Sequence, residues 1–106
     1  MNPRARYDEI ADDLAARDPS IELSQMMGMP CIKAGGKMVV GYASAGEMVF
    51  KLPDASEHAK ALGLAGAKLF DPSGRGKPFK EWVQVPAAHE SEWPGLAATA
   101  IKLRAG

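Results

Sequence analysis

A single cysteine, Cys31, cannot form an internal disulfide, and two histidines set far apart, His58 and His89, offer no zinc-type ligand spacing. This composition suits a reducing compartment. No segment approaches the ~18 consecutive apolar residues of a membrane span. The start of the chain carries Arg4, Arg6, Asp8, Glu9, Asp12, Asp13, Arg17 and Asp18, so it holds no apolar signal-peptide core. Net charge is also missing, because 13 Lys and Arg balance 13 Asp and Glu. A neutral chain has no global field to draw it to nucleic acid or an anionic membrane, which leaves such binding to a local patch. Neither a P-loop pattern nor GxGxxG occurs, so the common phosphate and dinucleotide loops are excluded. The expectation is a cytoplasmic protein with no membrane partner.

What is present reads as one globular domain over residues 1–106. Hydrophobic residues make up 46% and charged residues 25%, ordinary for a folded protein. A chain of this length buries ~65% of its unfolded surface, enough for a single core. The organising stretch is 26–52, MMGMPCIKAGGKMVVGYASAGEMVFKL. Residues 37–43 place Met38, Val40 and Tyr42 on one face, and 47–52 place Met48, Phe50 and Leu52 opposite Glu47 and Lys51, the period-2 pattern of half-buried strands. Gly35-Gly36 and Ser44-Ala45-Gly46 supply turns, and the product is an antiparallel meander.

Around it, residues 7–17 set Tyr7, Ile10, Ala11, Leu14 and Ala15 at helical spacing, with acids crowding the start as the helix dipole favours and Asp18-Pro19-Ser20 as the stop. The acidic face is expected to be solvated rather than to hold a cation or basic partner. Residues 21–27 read as an edge strand. Met26, Met27 and Met29 around Gly28 are either an adaptable contact surface or core filling, with core filling expected. Asp54 to Glu57 has capping-box form before a helix over 55–62, and 67–70 is a strand with Lys68 outward and Leu69 or Phe70 inward.

Residues 71–78 form the one real loop. Lys68, Arg75, Lys77 and Lys80 stand against Asp71 and Glu81, interleaved with Phe70, Phe79 and Trp82. Cations neutralise phosphates and aromatic faces stack on bases, so this mixture is a candidate nucleic-acid or anion site; a solvated loop is the plainer reading. Residues 81–85 alternate with Val83 and Val85 inward, which turns Trp82 toward a partner or under the loop. Ser91 is the expected N-cap of a last helix whose stripe is Trp93, Leu96, Ala97, Ala100 and Ile101. The element order is αββββαββα.

No catalytic constellation emerges. Cys31 shares a strand face with Lys33 but reads as a buried, inert thiol. His58 and His89 read as polar surface residues, and Asp12 and Asp13 point to different faces of their helix. The expectation is a non-enzymatic domain without a cofactor.

The succession MMGMPCIK, GGKMVVGY, GEMVFKLP and KEWVQVP, followed by a helix with an early tryptophan, resembles the small bacterial proteins of the TfoX N-terminal-domain family and, more distantly, the YjbR-like group. The likeness spans residues 24–103. It is carried by Gly28-Met29-Pro30, the paired hairpins, Lys51-Leu52-Pro53 and the aromatic-valine strand ending at Pro86. It implies a two-layer α+β fold with an antiparallel sheet and helices on one side, similar to secretion-chaperone-like domains. Full-length TfoX-type competence regulators carry a second, C-terminal domain, and this chain corresponds to the first; YjbR-like proteins are described as DNA-binding. Two functions follow. The first is an interaction or regulatory domain that binds a protein partner or forms a homodimer through Trp82, Phe79 and the methionines. The alternative is a nucleic-acid-binding module using Lys68, Arg75, Lys77, Phe79, Lys80 and Trp82.

Overall fold

Helix α1 begins earlier than its apolar stripe suggests. In the computed structural model, which describes residues 2–26 and 28–104, α1 spans Pro3–Arg17, and Asn2 Oδ1 accepts the Ala5 N–H at 2.7 Å. Asparagine followed by proline is a helix start that hydrophobic spacing does not register, because Arg4 and Arg6 interrupt the stripe. The acids therefore do not sit in the first turn. They pair with arginines instead: Asp8 with Arg4 at 3.0 Å, Glu9 with Arg6, and Asp13 with Arg17 at 3.2 Å. Such exposed pairs contribute about 0.3–0.5 kcal/mol each.

The meander follows as β1 (Ile21–Met26), β2 (Met29–Ala34), β3 (Lys37–Ala43) and β4 (Glu47–Lys51). Met27, included in the expected edge strand and methionine cluster, lies outside the described residues. Gly35 and Gly36 both have positive φ, 59° and 84°, the pair of left-handed residues that a two-residue hairpin turn of matching twist demands. Then come α2 (Ala55–Leu62), β5 (Lys68–Phe70), β6 (Phe79–Val85), a 3₁₀ segment (Ala87–Glu92) and α3 (Trp93–Arg104). The strands form one antiparallel sheet in the order β1-β2-β3-β4-β6-β5. The fold is α+β, with the element order αββββαββα.

One face of the sheet carries the core. Ile21, Ile32, Ala34, Val40, Met48, Phe50, Val83 and Val85 meet Tyr7, Ile10 and Ala11 of α1, Ala61 of α2, and Trp93, Ala97 and Ala100 of α3. All three helices thus lie on the same side. Alanines on α3 let it approach the sheet closely, and Trp93 Nε1 donates to Val85 O at 3.3 Å, so the buried indole N–H is satisfied. Asp54 caps α2 by accepting the Glu57 N–H at 3.0 Å, as its sequence form predicts.

Two further expectations need correction. Val40 and Tyr42 face the helices, but Met38 does not join them. Ile32 pairs with Val40 and Lys33 with Met38, so Val39 is an extra residue that shifts the register and puts Met38 on the opposite face. Ser91 is not an N-cap, since it falls within the 3₁₀ segment. The Trp93 N–H bonds to Glu90 O there, and this tighter turn feeds α3. Among the described residues no helix is long and apolar enough to cross a membrane.

Candidate binding face

Among the described residues every helix lies on one side, and the other face of the sheet has no secondary structure above it. Its residues follow from alternation: Val49 lies between the core residues Met48 and Phe50, Trp82 precedes core Val83, and Phe70 closes β5. They form a second, smaller cluster in which Ala43, Val49 and Phe70 are buried beneath Met29 and Trp82. Gly41 makes the surface concave. A Cβ there would stand 2.9 Å from the Cε atoms of both Met29 and Met38 and 3.1 Å from Val49 Cγ2. Only a residue without a side chain lets the two methionines lie across the strands.

The result is a groove of about 450 Å³ lined by Met26, Met29, Met38, Phe70, Pro72, Phe79 and Trp82. Phe70 packs edge-on against Phe79, with centroids 5.9 Å apart, and tilts against Trp82 at 6.4 Å. Phe79 remains 50% exposed and Met26 42%, so the rim presents large apolar groups to water. An adjoining cavity of about 750 Å³ shares Met29, Phe70 and Pro72 and adds Lys68, Asp71 and Gln84. Gln84 is buried there and donates from Nε2 to Glu47 Oε1 at 2.6 Å. The floor is apolar, with a polar anchor at one end.

The loop beside the groove is built on Asp71. Its carboxylate accepts N–H groups from Ser73 (3.2 Å), Gly74 (3.1 Å) and Gly76 (2.9 Å) and the Ser73 hydroxyl (2.7 Å). The serine hydroxyl leads these donors in holding the Asp71 carboxyl below the usual range. This is a nest of backbone amides of the kind that binds phosphate, already filled by the chain's own carboxylate.

The structure separates the candidate residues. Phe79 and Trp82 come together at the groove, and Lys68 borders the adjoining cavity. Arg75, Lys77 and Lys80 are exposed and line neither space. Met26 and Met29 belong to this face rather than to the main core, contrary to the core-filling expectation. Phe70 lies on this face, and Leu69, opposite core Val83 in the ladder, alternates to the other. Simple alternation puts Met38 on the helix side, and only the Val39 bulge turns it to this face; nothing in the sequence context of Gly41 marks it as a floor.

The nucleophile and histidine candidates have structural roles. Cys31 is 1% exposed, and burial pushes its thiol up from the ordinary value, against a lowering effect of Lys33 and together with a raising effect of Glu22. His58 Nε2 lies 2.8 Å from Lys80 O and His89 Nε2 lies 2.8 Å from Ala65 O. A carbonyl only accepts, so each Nε2 carries the hydrogen. The rings tie α2 to β6 and the 3₁₀ segment to the loop after α2. Among the described residues no group of three or more His, Cys, Asp or Glu side chains is placed to hold a metal ion.

Known proteins add nothing to this geometry. No family model, curated protein or solved structure matched the chain. The functional reading therefore rests on the face itself.

Proposed function

We propose that the chain is a non-enzymatic interaction domain, of the TfoX N-terminal-domain kind, that binds an apolar stretch of a protein on its helix-free sheet face. One observation carries this reading: three methionines and three aromatics line an open groove over a glycine floor. Methionine is unbranched and polarisable, so it adapts to varied apolar partners, while half-exposed aromatics are the favoured anchors of interfaces. The groove lies within the ~300–1,000 Å³ range of binding pockets. The family resemblance is in keeping with this fold, because Gly28-Met29-Pro30 leads into β2 and Lys51-Leu52-Pro53 leads out of β4.

Nucleic-acid binding has less support. The amides of the 71–78 loop already serve Asp71, and three of the four cations line neither the groove nor the adjoining cavity.

The test is selection of peptides from a random library on the full chain, followed by affinity measurement. Peptides rich in apolar residues are expected, and Trp82→Ala should weaken them by about 30-fold, the effect of losing an anchor of ~2 kcal/mol. Equal binding to Trp82→Ala and Phe79→Ser, with both variants folded, defeats the proposal. Salt-sensitive binding of DNA or RNA oligonucleotides that falls on removal of Lys68 and Lys80 favours the alternative.

A further inference from the structure

The two edges of the sheet are unlike. β5 is three residues long, its register breaks between Leu69 and Phe70, and it runs into the Asp71 loop. Short, irregular edges of that kind resist pairing. β1 instead runs six residues in unbroken register with β2, with no proline, lysine or bulge. Its one charged residue, Glu22, lies across the ladder from Lys33.

Two facts identify the outward backbone groups of β1. Gly35 N–H donates to Ser20 O at 3.1 Å, and Pro30, opposite Gln25, has no N–H to donate. Bonded and non-bonded pairs alternate along an antiparallel ladder. Glu22, Ser24 and Met26 therefore bond to β2, while Ile21, Leu23 and Gln25 direct their backbone groups away from the sheet. Ile21 N–H turns back to Asp18 O at 3.0 Å. The outward set that remains is the N–H and C=O of Leu23, the same of Gln25, and the C=O of Ile21. Leu23, whose side chain is 44% exposed, also borders a groove of about 320 Å³ lined by Tyr7 and Ala11 of α1.

Apart from the Gln25 C=O, that set is self-complementary. We propose that β1 pairs antiparallel with β1 of a second copy about a two-fold axis at Leu23, making one sheet continuous through both copies. Leu23 of each copy exchanges both backbone bonds with Leu23 of the other, and each Gln25 N–H donates to the other copy's Ile21 C=O. The two Leu23 side chains cover each other beside α1. Glu22 falls opposite the Ser24 hydroxyl, so like charges are not placed face to face, as a register centred on Glu22 would require. An isologous two-fold seam of this kind closes at the dimer and leaves β5 as the outer edge. The seam goes beyond the binding groove and is separate from it, with only Met26 near both.

Sedimentation of the full chain from micromolar to near-millimolar concentration should show a monomer–dimer equilibrium. Leu23→Pro removes an outward N–H without touching the β1–β2 ladder and should weaken the dimer by about tenfold or more, with an unchanged circular dichroism spectrum. Leu23→Lys should do the same if the proline disturbs the strand. Trp82→Ala should leave the dimer intact, which separates this seam from the groove. Register is read by disulfide trapping. Opposed bonded residues have Cα atoms ~5.5 Å apart, within disulfide reach, so Leu23→Cys should cross-link under mild oxidation and Gln25→Cys should not. A chain that stays monomeric at the highest concentration, a dimer indifferent to both Leu23 variants, or cross-linking at Gln25→Cys as efficient as at Leu23→Cys overturns the proposal.

Discussion

Replacing each tryptophan in turn tests the division of the sheet into a core face and a binding face. Trp93 is fully buried between α3 and the end of β6. A tryptophan buries ~150–250 Å², which at ~25 cal/mol per Å² corresponds to ~4–6 kcal/mol. Residual burial in the unfolded chain reduces this by ~10–40%, to about 3–5 kcal/mol, the range measured for truncating buried aromatics. A domain of this size holds only ~5–15 kcal/mol, so Trp93→Ala removes about a fifth of its stability or more. Trp82 is half-buried, packs on Phe70 alone among the aromatics, and has no helix above it. Trp82→Ala should cost about 1–2 kcal/mol. Urea unfolding followed by far-ultraviolet circular dichroism separates the two, because the method does not depend on the residue removed. With a slope of ~1–3 kcal/mol per M, Trp93→Ala lowers the midpoint by ~2 M and Trp82→Ala by less than ~1 M. Equal shifts, or a larger shift for Trp82→Ala, would refute the two-faced reading and remove the basis of the groove.

Three further outcomes follow from local chemistry. Asp18 and Asp71 both have carboxyl pKa values held down, the first chiefly by the Ser20 N–H and hydroxyl and the second chiefly by the Ser73 hydroxyl. Their contributions are present above the unfolded carboxyl range and are lost as pH falls through the lower folded values. The acid limb of a urea-midpoint profile should therefore flatten in Asp18→Asn, and Asp71→Ala should speed tryptic cleavage after Arg75, since the loop loses its organising acceptor. An unaltered cleavage rate at Arg75 counts against the nest. Cys31 should resist iodoacetamide at pH 8 in the native protein and react fully in urea; rapid native alkylation contradicts its burial.

Patterns that repeat over a few residues determined most of the fold. Alternation in Met48, Phe50 and Leu52, the double glycine at 35–36, the Asp54 cap and the Trp93 stripe each report a local backbone preference, and the tertiary structure agrees with all of them. The candidate residues Phe79 and Trp82 were legible too, as aromatics in a stretch of mixed polarity. Tertiary structure alone decided what joins them. Met26, Met29, Met38 and Phe70 come from four strands, and whether their faces coincide depends on a one-residue bulge at Val39 that no local pattern announces. Gly41 acquires meaning only when two methionine tips and Val49 close over it. The helix-free face exists because three helices separated in sequence all cross to one side of the sheet, and side is a property of connection and packing rather than of any single segment.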